Sequence, residues 1–294
     1  MACLGGCRRE SKQSAPVTTL RSARRRGVEV VTRFHAHDLE VRRDEVTVRG
    51  HRDGKGLELH GRHVVLAAGA MGTPPLLFRS GYGKRIPGLG RHFTCHPQFM
   101  ACARLDAVVD AHRGFFQSVG CSDSRFEERG FKFETNFMPP IIFSMLFGGA
   151  GGSVYDMIGD YRRMACLEIS IRDDDEPGAI RPRHGGGTVI DRPLGASHRD
   201  KLADATQVVH ECFVQMGATD TWFCPRAFSV HPMGGCTLGS DPADAAVDES
   251  FHLFGEERVY VCDSSTFPNA PGRNPSLTVM ALALRASEVM LREA

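Results

Sequence analysis

At 294 residues, 41% of them apolar, the chain is long enough to bury one or two sizeable cores. Its 36 Lys and Arg offset 35 Asp and Glu, which excludes a protein dedicated to nucleic acid or held by charge on an anionic membrane. Ten cysteines without a CxxC…CxxC pair exclude a zinc-ribbon framework, and "MACLGGCRRESKQS" lacks the apolar core of a secretory leader, so free thiols in a reducing, cytoplasmic setting are expected.

Residues 16–26 read as a short helix stopped by Gly27, a suitable left-handed cap. "VEVVTRF" (Val28 to Phe34) reads as a strand, and the following segment to Gly61 as an antiparallel meander with a hairpin turn at Asp53-Gly54. The basic clusters "RSARRR" and "VRRDEVTVRGHR" read as a solvated helix end and a solvated hairpin face. The continuous run "HVVLAAGA" (His63 to Ala70) has the character of a parallel strand buried on both faces. "GTPPLLFRSG" then starts a helix, with Thr73 as its cap, Pro74 in the first turn and Gly81 at its end. A strand, glycine turn and helix start can aim backbone N–H groups at a nucleotide phosphate, although any α/β protein has such junctions.

The middle, residues 92–225, mixes strands ("FKFETNF", "ACLEISIRD", "GTVIDRP") with a helix over 197–216. Ser197 would cap that helix; Leu202, Ala205, Val208, Val209, Cys212, Phe213 and Met216 form its apolar face. Without βαβ alternation this is an α+β layer. "FMPPIIFSMLFGGAGG" (Phe137 to Gly152) reads as an apolar loop, broken by prolines and glycines and too short to span a bilayer. The tail returns to α/β: a buried strand "RVYVCDSS", a Pro/Gly-rich turn, and a strong helix with Pro275 near its first turn.

Chemistry concentrates in "HPMGGCTLGSDP" (His231 to Pro242). The histidine reads as a metal ligand beside Cys236, a general base over a cofactor, or a packed loop residue. Too few further ligands converge to favour a metal. Asp263 and Asn274 flank the last strand–turn–helix, where they cap turns or meet a polar ligand. His92 and His96 have the i, i+4 spacing of helical ligands, but Pro97 and the preceding glycines make the stretch a loop. Asp173, Asp174, Asp175 and Glu176 lack EF-hand spacing and read as a solvated hairpin tip. Cys3 and Cys7 read as free thiols of a small exposed loop.

Three segments resemble the glucose–methanol–choline (GMC) flavoprotein oxidoreductases, in that family's order. They are "CLGGCRRESKQSAPVTTL"; "HVVLAAGAMGTPPLLFRSGYG" with "IPGLGRHFTCHP"; and "HPMGGCTLGSDPADAAVD" with "VYVCDSSTFPNAPGRNPSLTVMALALRASEVML". The first is similar to the alcohol and sterol oxidase branch. The resemblance implies an α/β FAD-binding domain, Rossmann-like and assembled from residues 1–95 and 226–294, with an antiparallel-sheet α+β substrate domain at 96–225. It implies an alcohol oxidase or dehydrogenase in which His231 is the active-site base and Asn274 its partner, with hydride passing to flavin N5. Asp263, Ser264 and the Asn274–Pro275–Ser276 backbone would lie on the flavin. Ala67, Ala68, Gly69 and Ala70 would lie near the adenosine half, with Ala36 at a second adenine contact. The substrate would be a small-molecule alcohol, hydrophobic if Phe137 to Gly152 lines or lids a channel; that segment, which could also touch a membrane surface, reads equally well as an ordinary core segment of the substrate domain.

One departure stands out: there is no GxGxxG, since "LGGCRRE" and "GGAGGS" neither follow a buried strand nor open a helix. The FAD site therefore lacks a wall. The chain is expected to be a fragment, or one half of a split enzyme with an N-terminal FAD-binding partner, and to hold FAD weakly alone.

Overall fold

The computed structural model describes residues 9–113, 117–148, 152–174, 177–185 and 187–293. Cys3, Cys7, Asp175 and Glu176 lie outside them. In chain order the elements are α1 (Thr19–Arg25), β1 (Phe34–Val41), β2 (Val46–Arg52), β3 (Lys55–Gly61), β4 (Val64–Leu66), α2 (Thr73–Arg79) and β5 (Gln98–Leu105). Then come β6 (Gly120–Cys121), α3 (Ser124–Glu128), β7 (Phe131–Thr135), α4 (Pro140–Phe147), α5 (Gly152–Gly159), β8 (Met164–Ile171), β9 (Ala179–Pro182) and β10 (Thr188–Asp191). The chain ends with α6 (Ala196–Gln215), β11 (Ala218–Phe223), β12 (His252–Leu253), β13 (Glu256–Val261) and α7 (Ser276–Glu293). They divide into two compact units.

The first unit comprises Met1–Thr32, Gln98–Ile171 and Asp200–Phe228. Its frame is an antiparallel sheet in the order β11-β5-β8-β7-β6. β5, paired on both sides, is buried from Gln98 to Ala103. Within the segment from Phe137 to Gly152, of which residues 149–151 lie outside the described ones, Pro140–Phe147 is helical rather than a loop: α4 buries Phe143 to 1% exposure against Phe137, Met157 and Tyr161. Phe143 is thus core rather than channel lining, while Ile141 and Met145 on α4 are exposed. α6 packs through Ala205, Val209 and Phe213, one i, i+4 seam of the expected face, while Cys212 and Met216 are exposed. The helix starts before Ser197, which therefore lies inside it rather than capping it.

Gly27 adopts φ +92° and its N–H returns to the Arg24 carbonyl, ending α1 as the sequence suggests. The expected strand at Val28 to Phe34 is absent up to Arg33. Val28 and Val30 are exposed, Arg33 turns through positive φ, and pairing starts only at Phe34.

The second unit comprises Arg33–Pro97, Arg172–Arg199 and Ser229–Ala294. β1, β2 and β3 form the expected meander, joined at Asp53-Gly54, both with positive φ. A second sheet runs β12-β13-β4, with β13 and β4 parallel. The parallel pairing agrees with the sequence; burial on both faces does not, because Val65 is 48% exposed on the edge strand. The core packs Leu66, Leu76, Leu77, Val259 and Val261 against Ala286 of α7. Thr73 is the first helical residue of α2 rather than its cap, and Pro74 lies in the first turn as expected. No helix among the described residues is long and apolar enough to cross a membrane.

Candidate functional site

Leu66 of β4 stands opposite Val261 of β13, so both parallel strands end at one level. The chain leaves them through Ala67–Ala70 and Cys262–Ser265, the place where open α/β sheets bind ligands. Gly69 adopts φ +72° and donates its N–H to Asp263 Oδ2 at 2.8 Å. Thr73 Oγ1 donates to the same oxygen at 2.6 Å and accepts from Ala68 N–H at 3.2 Å. Ser265 N–H donates to Asp263 Oδ1 at 2.7 Å. Oδ2 of the buried Asp263 thus clamps the two turns together, while Oδ1 caps its own turn. Ala70 N–H adds a long bond to Ser264 Oγ at 3.4 Å. Outward the turn offers small groups only: Ala67 and Ala68 are exposed, Gly69 half-buried and Ala70 buried.

The "HPMGGC" segment runs along the same turn. Gly234, Cys236 and Leu238 donate to the carbonyls of Ser264, Ser265 and Thr266 at 2.9–3.0 Å. Gly234 and Gly235 have φ +79° and +93°; a Cβ on the first would collide with the His92 carbonyl, and one on the second would press on Pro74 and Ile180. Protein packing alone therefore demands glycine at both positions. Cys236 is fully buried, and burial pushes its thiol well above the usual range, so it belongs to the core.

His231 is half-buried, and its N–H donates to Ser229 Oγ at 3.2 Å. Its Nδ1 lies 3.1 Å from Nδ1 of His96, with the rings edge-on at 84°. His96 is buried, and its Nε2 hydrogen-bonds the Pro271 carbonyl. His96 therefore ties His231 to the loop that carries Asn274, which is exposed immediately before buried Pro275 and exposed Ser276 at the start of α7. Ala36 is exposed beside the β1 bulge, and neighbouring His37 accepts through its carbonyl from Arg79 at the far end of α2.

Two features escape a reading of the sequence. His96 shares a loop with His92, as expected; His92 turns to Asp244 at 2.8 Å while His96 faces His231. Asp173 is not part of a solvated tip. It is 4% exposed and accepts from Thr94 Oγ1 at 2.7 Å, Cys95 N–H at 3.0 Å, Arg192 Nε at 3.0 Å and His198 Nε2 at 2.9 Å.

Comparison with known proteins sets this geometry in a family. The family profiles for the N- and C-terminal parts of GMC oxidoreductases match residues 1–98 and 186–283. The chain belongs to the GMC oxidoreductase family. A GMC-type oxidoreductase of Mycobacterium tuberculosis is 28% identical over 97% of this chain and 49% of its own length. A long-chain-alcohol oxidase of Arabidopsis thaliana is 27% identical over 78% of this chain and 36% of its own. The chain thus spans about half the length of the first of these relatives. Among solved structures, formate oxidase from Aspergillus oryzae aligns with a TM-score of 0.68 at 15% identity, covering 88% of this chain and 60% of that one. Pyridoxine 4-oxidase from Mesorbium loti aligns at 0.65 and 17%, covering 87% and 56%. These likenesses establish the fold, and FAD is the cofactor of the family.

Proposed function

We propose that this chain supplies the proton-accepting half of an FAD-dependent alcohol oxidoreductase, with His231 as base and Asn274 as its partner on the substrate hydroxyl. The observation that carries the reading is the link from His231 through His96 to the loop bearing Asn274. FAD fits the second unit: small exposed residues end β4, backbone turns lie at the carboxyl ends of two parallel strands, and an 18-residue helix opens beside Asn274. Ala67 to Ala70 would hold its adenosine half, and the backbone from Asp263 to Ser264 and from Asn274 to Ser276 its ring system. FAD supplies a hydride acceptor when bound. His231 takes the hydroxyl proton, Asn274 orients the same hydroxyl, and the N-terminus of α7 favours nearby negative charge. The kinship with a long-chain-alcohol oxidase supports a hydrophobic alcohol as substrate.

A specific feature of α7 favours the reading of the chain as one half of the site. Leu282, Ala286, Val289 and Met290 pack into the core, while Leu277, Met280, Leu284 and Leu291 are 61–79% exposed in a stripe on the opposite face. A helix apolar on both faces calls for cover on both. We assign that cover to a dinucleotide-binding unit carrying the GxGxxG that this chain lacks.

The test is His231→Ala in an FAD-loaded enzyme that includes such a unit. Turnover of a primary alcohol should fall about a hundred- to ten-thousand-fold while flavin absorbance is retained. Near-normal turnover would remove His231 from the base role.

A further inference from the structure

We propose that His96 is a positioning residue that fixes the proton of His231 on Nδ1 and so leaves Nε2 as its basic nitrogen. The proposal rests on the reading of His231 as the base, and it follows from the register of two loops together with hydrogen-bond arithmetic.

Thr94 and Met233 exchange both backbone hydrogen bonds, each at 2.9 Å, in an antiparallel bridge. Two residues on from Thr94 and two back from Met233, on the same side, stand His96 and His231. The bridge therefore sets the rings against each other, and the Nδ1–Nδ1 separation of 3.1 Å is a hydrogen bond. The loop is anchored from behind, because Asp173 accepts from Thr94 Oγ1 and from Cys95 N–H, the two residues before His96. Arg192 and His198 hold that carboxylate in turn. His198 Nδ1 accepts from Gly195 N–H at 3.2 Å, so its Nε2 carries the proton given to Asp173. His96 is 1% exposed, and each of its ring nitrogens faces a hydrogen-bond partner.

The proton count then has one solution for two neutral rings. A carbonyl only accepts, so the His96 nitrogen facing Pro271, Nε2, carries that ring's proton. His96 Nδ1 is therefore a lone pair. The bond between the rings needs one donor, which must be His231 Nδ1–H. In a neutral ring Nε2 of His231 is then the nitrogen without a proton, and so the basic one. When it does, the imidazolium keeps its Nδ1–H bond to His96, so the proton is gained without a change of partner.

The test separates this role from mere packing. In the chain labelled with [15N]histidine, long-range 1H–15N correlation should show His231 with a protonated Nδ1 and an unprotonated Nε2. A proton on Nε2 overturns the proposal, whatever the turnover. His96→Leu removes the acceptor and should shift His231 toward the Nε2–H form. His96→Asn places an amide oxygen near the former Nδ1 and should keep the Nδ1–H form. In the FAD-loaded enzyme the same order should appear in kcat: at least about a tenfold loss for His96→Leu, partly restored in His96→Asn, with KM changing less than about threefold. An unshifted tautomer in His96→Leu would overturn the proposal, and if that variant fails to fold, the wild-type and His96→Asn spectra still decide. Normal turnover of His231→Ala beside the expected tautomer would instead refute the base role alone.

Discussion

The two units differ in where their exposed apolar side chains lie. In the first, β5 lies between two partners and is buried along most of its length, and α4 closes Phe143 into an aromatic cluster. In the second, β4 is an edge of a three-stranded sheet with Val65 half-exposed, and α7 presents Leu277, Met280, Leu284 and Leu291 to the outside. A buried core stabilises by about 25 cal/mol per Å² of apolar surface, and an open stripe of leucines contributes none of it. The first unit leaves exposed apolar residues such as Ile141 and Met145 on α4; the second gathers four of its exposed apolar residues on one face of α7.

The sharpest way to break this contrast is to mutate both sides of it and read the single tryptophan, Trp222, which packs beside the first unit's core. Phe143→Ala should cost about 3–5 kcal/mol in urea unfolding followed by Trp222 fluorescence. A loss below about 1 kcal/mol would mean that Phe143 is not core.

A smaller effect should come from Glu168, in the middle of β8 and 1% exposed. Burial raises its pKa, against hydrogen bonds from Asn136 at 2.5 Å and from Gln98 that lower it, while Glu134 adds repulsion. The folded state therefore binds this proton more tightly than the unfolded chain does, and the group's stabilisation is present below the ordinary glutamate value of 4.5 and lost as pH rises through the folded value. Glu168→Gln should flatten that decline, because glutamine has no proton to lose, and Asn136 can turn its amide so that its unpartnered Oδ1 accepts from the new NH2. A decline unchanged in the variant would assign it to another group.

The smallest effect belongs to the open face. Leu284→Gln should change the stability of residues 1–294 by no more than about 0.5 kcal/mol. A loss comparable to that of Phe143→Ala would show that the stripe is already covered within this chain.

Much of the fold was legible because period and continuity are local signals. The meander showed its turn at Asp53-Gly54, and the continuous apolar runs before Ala67 and Asp263 gave the parallel pair. Val28 to Phe34 misled because strand-like residues do not form a strand without a neighbour to pair with. Phe137 to Phe147 misled because paired prolines read as a break, whereas Pro140 sits comfortably in a helix's first turn. His231 stood out by its glycines and by family resemblance. His96 did not, because its meaning comes from a bridge between residues 139 positions apart, 94 and 233, which no local pattern reveals.

The proposal that this chain carries half of a flavin site turns on whether it can hold FAD by itself. The most direct measurement is an FAD titration of residues 1–294 alone and joined to a GxGxxG-bearing unit, followed by flavin absorbance after desalting. No flavin should be retained by the chain alone, and the joined form should be a stable yellow protein. A stable yellow protein from residues 1–294 alone would contradict the proposal.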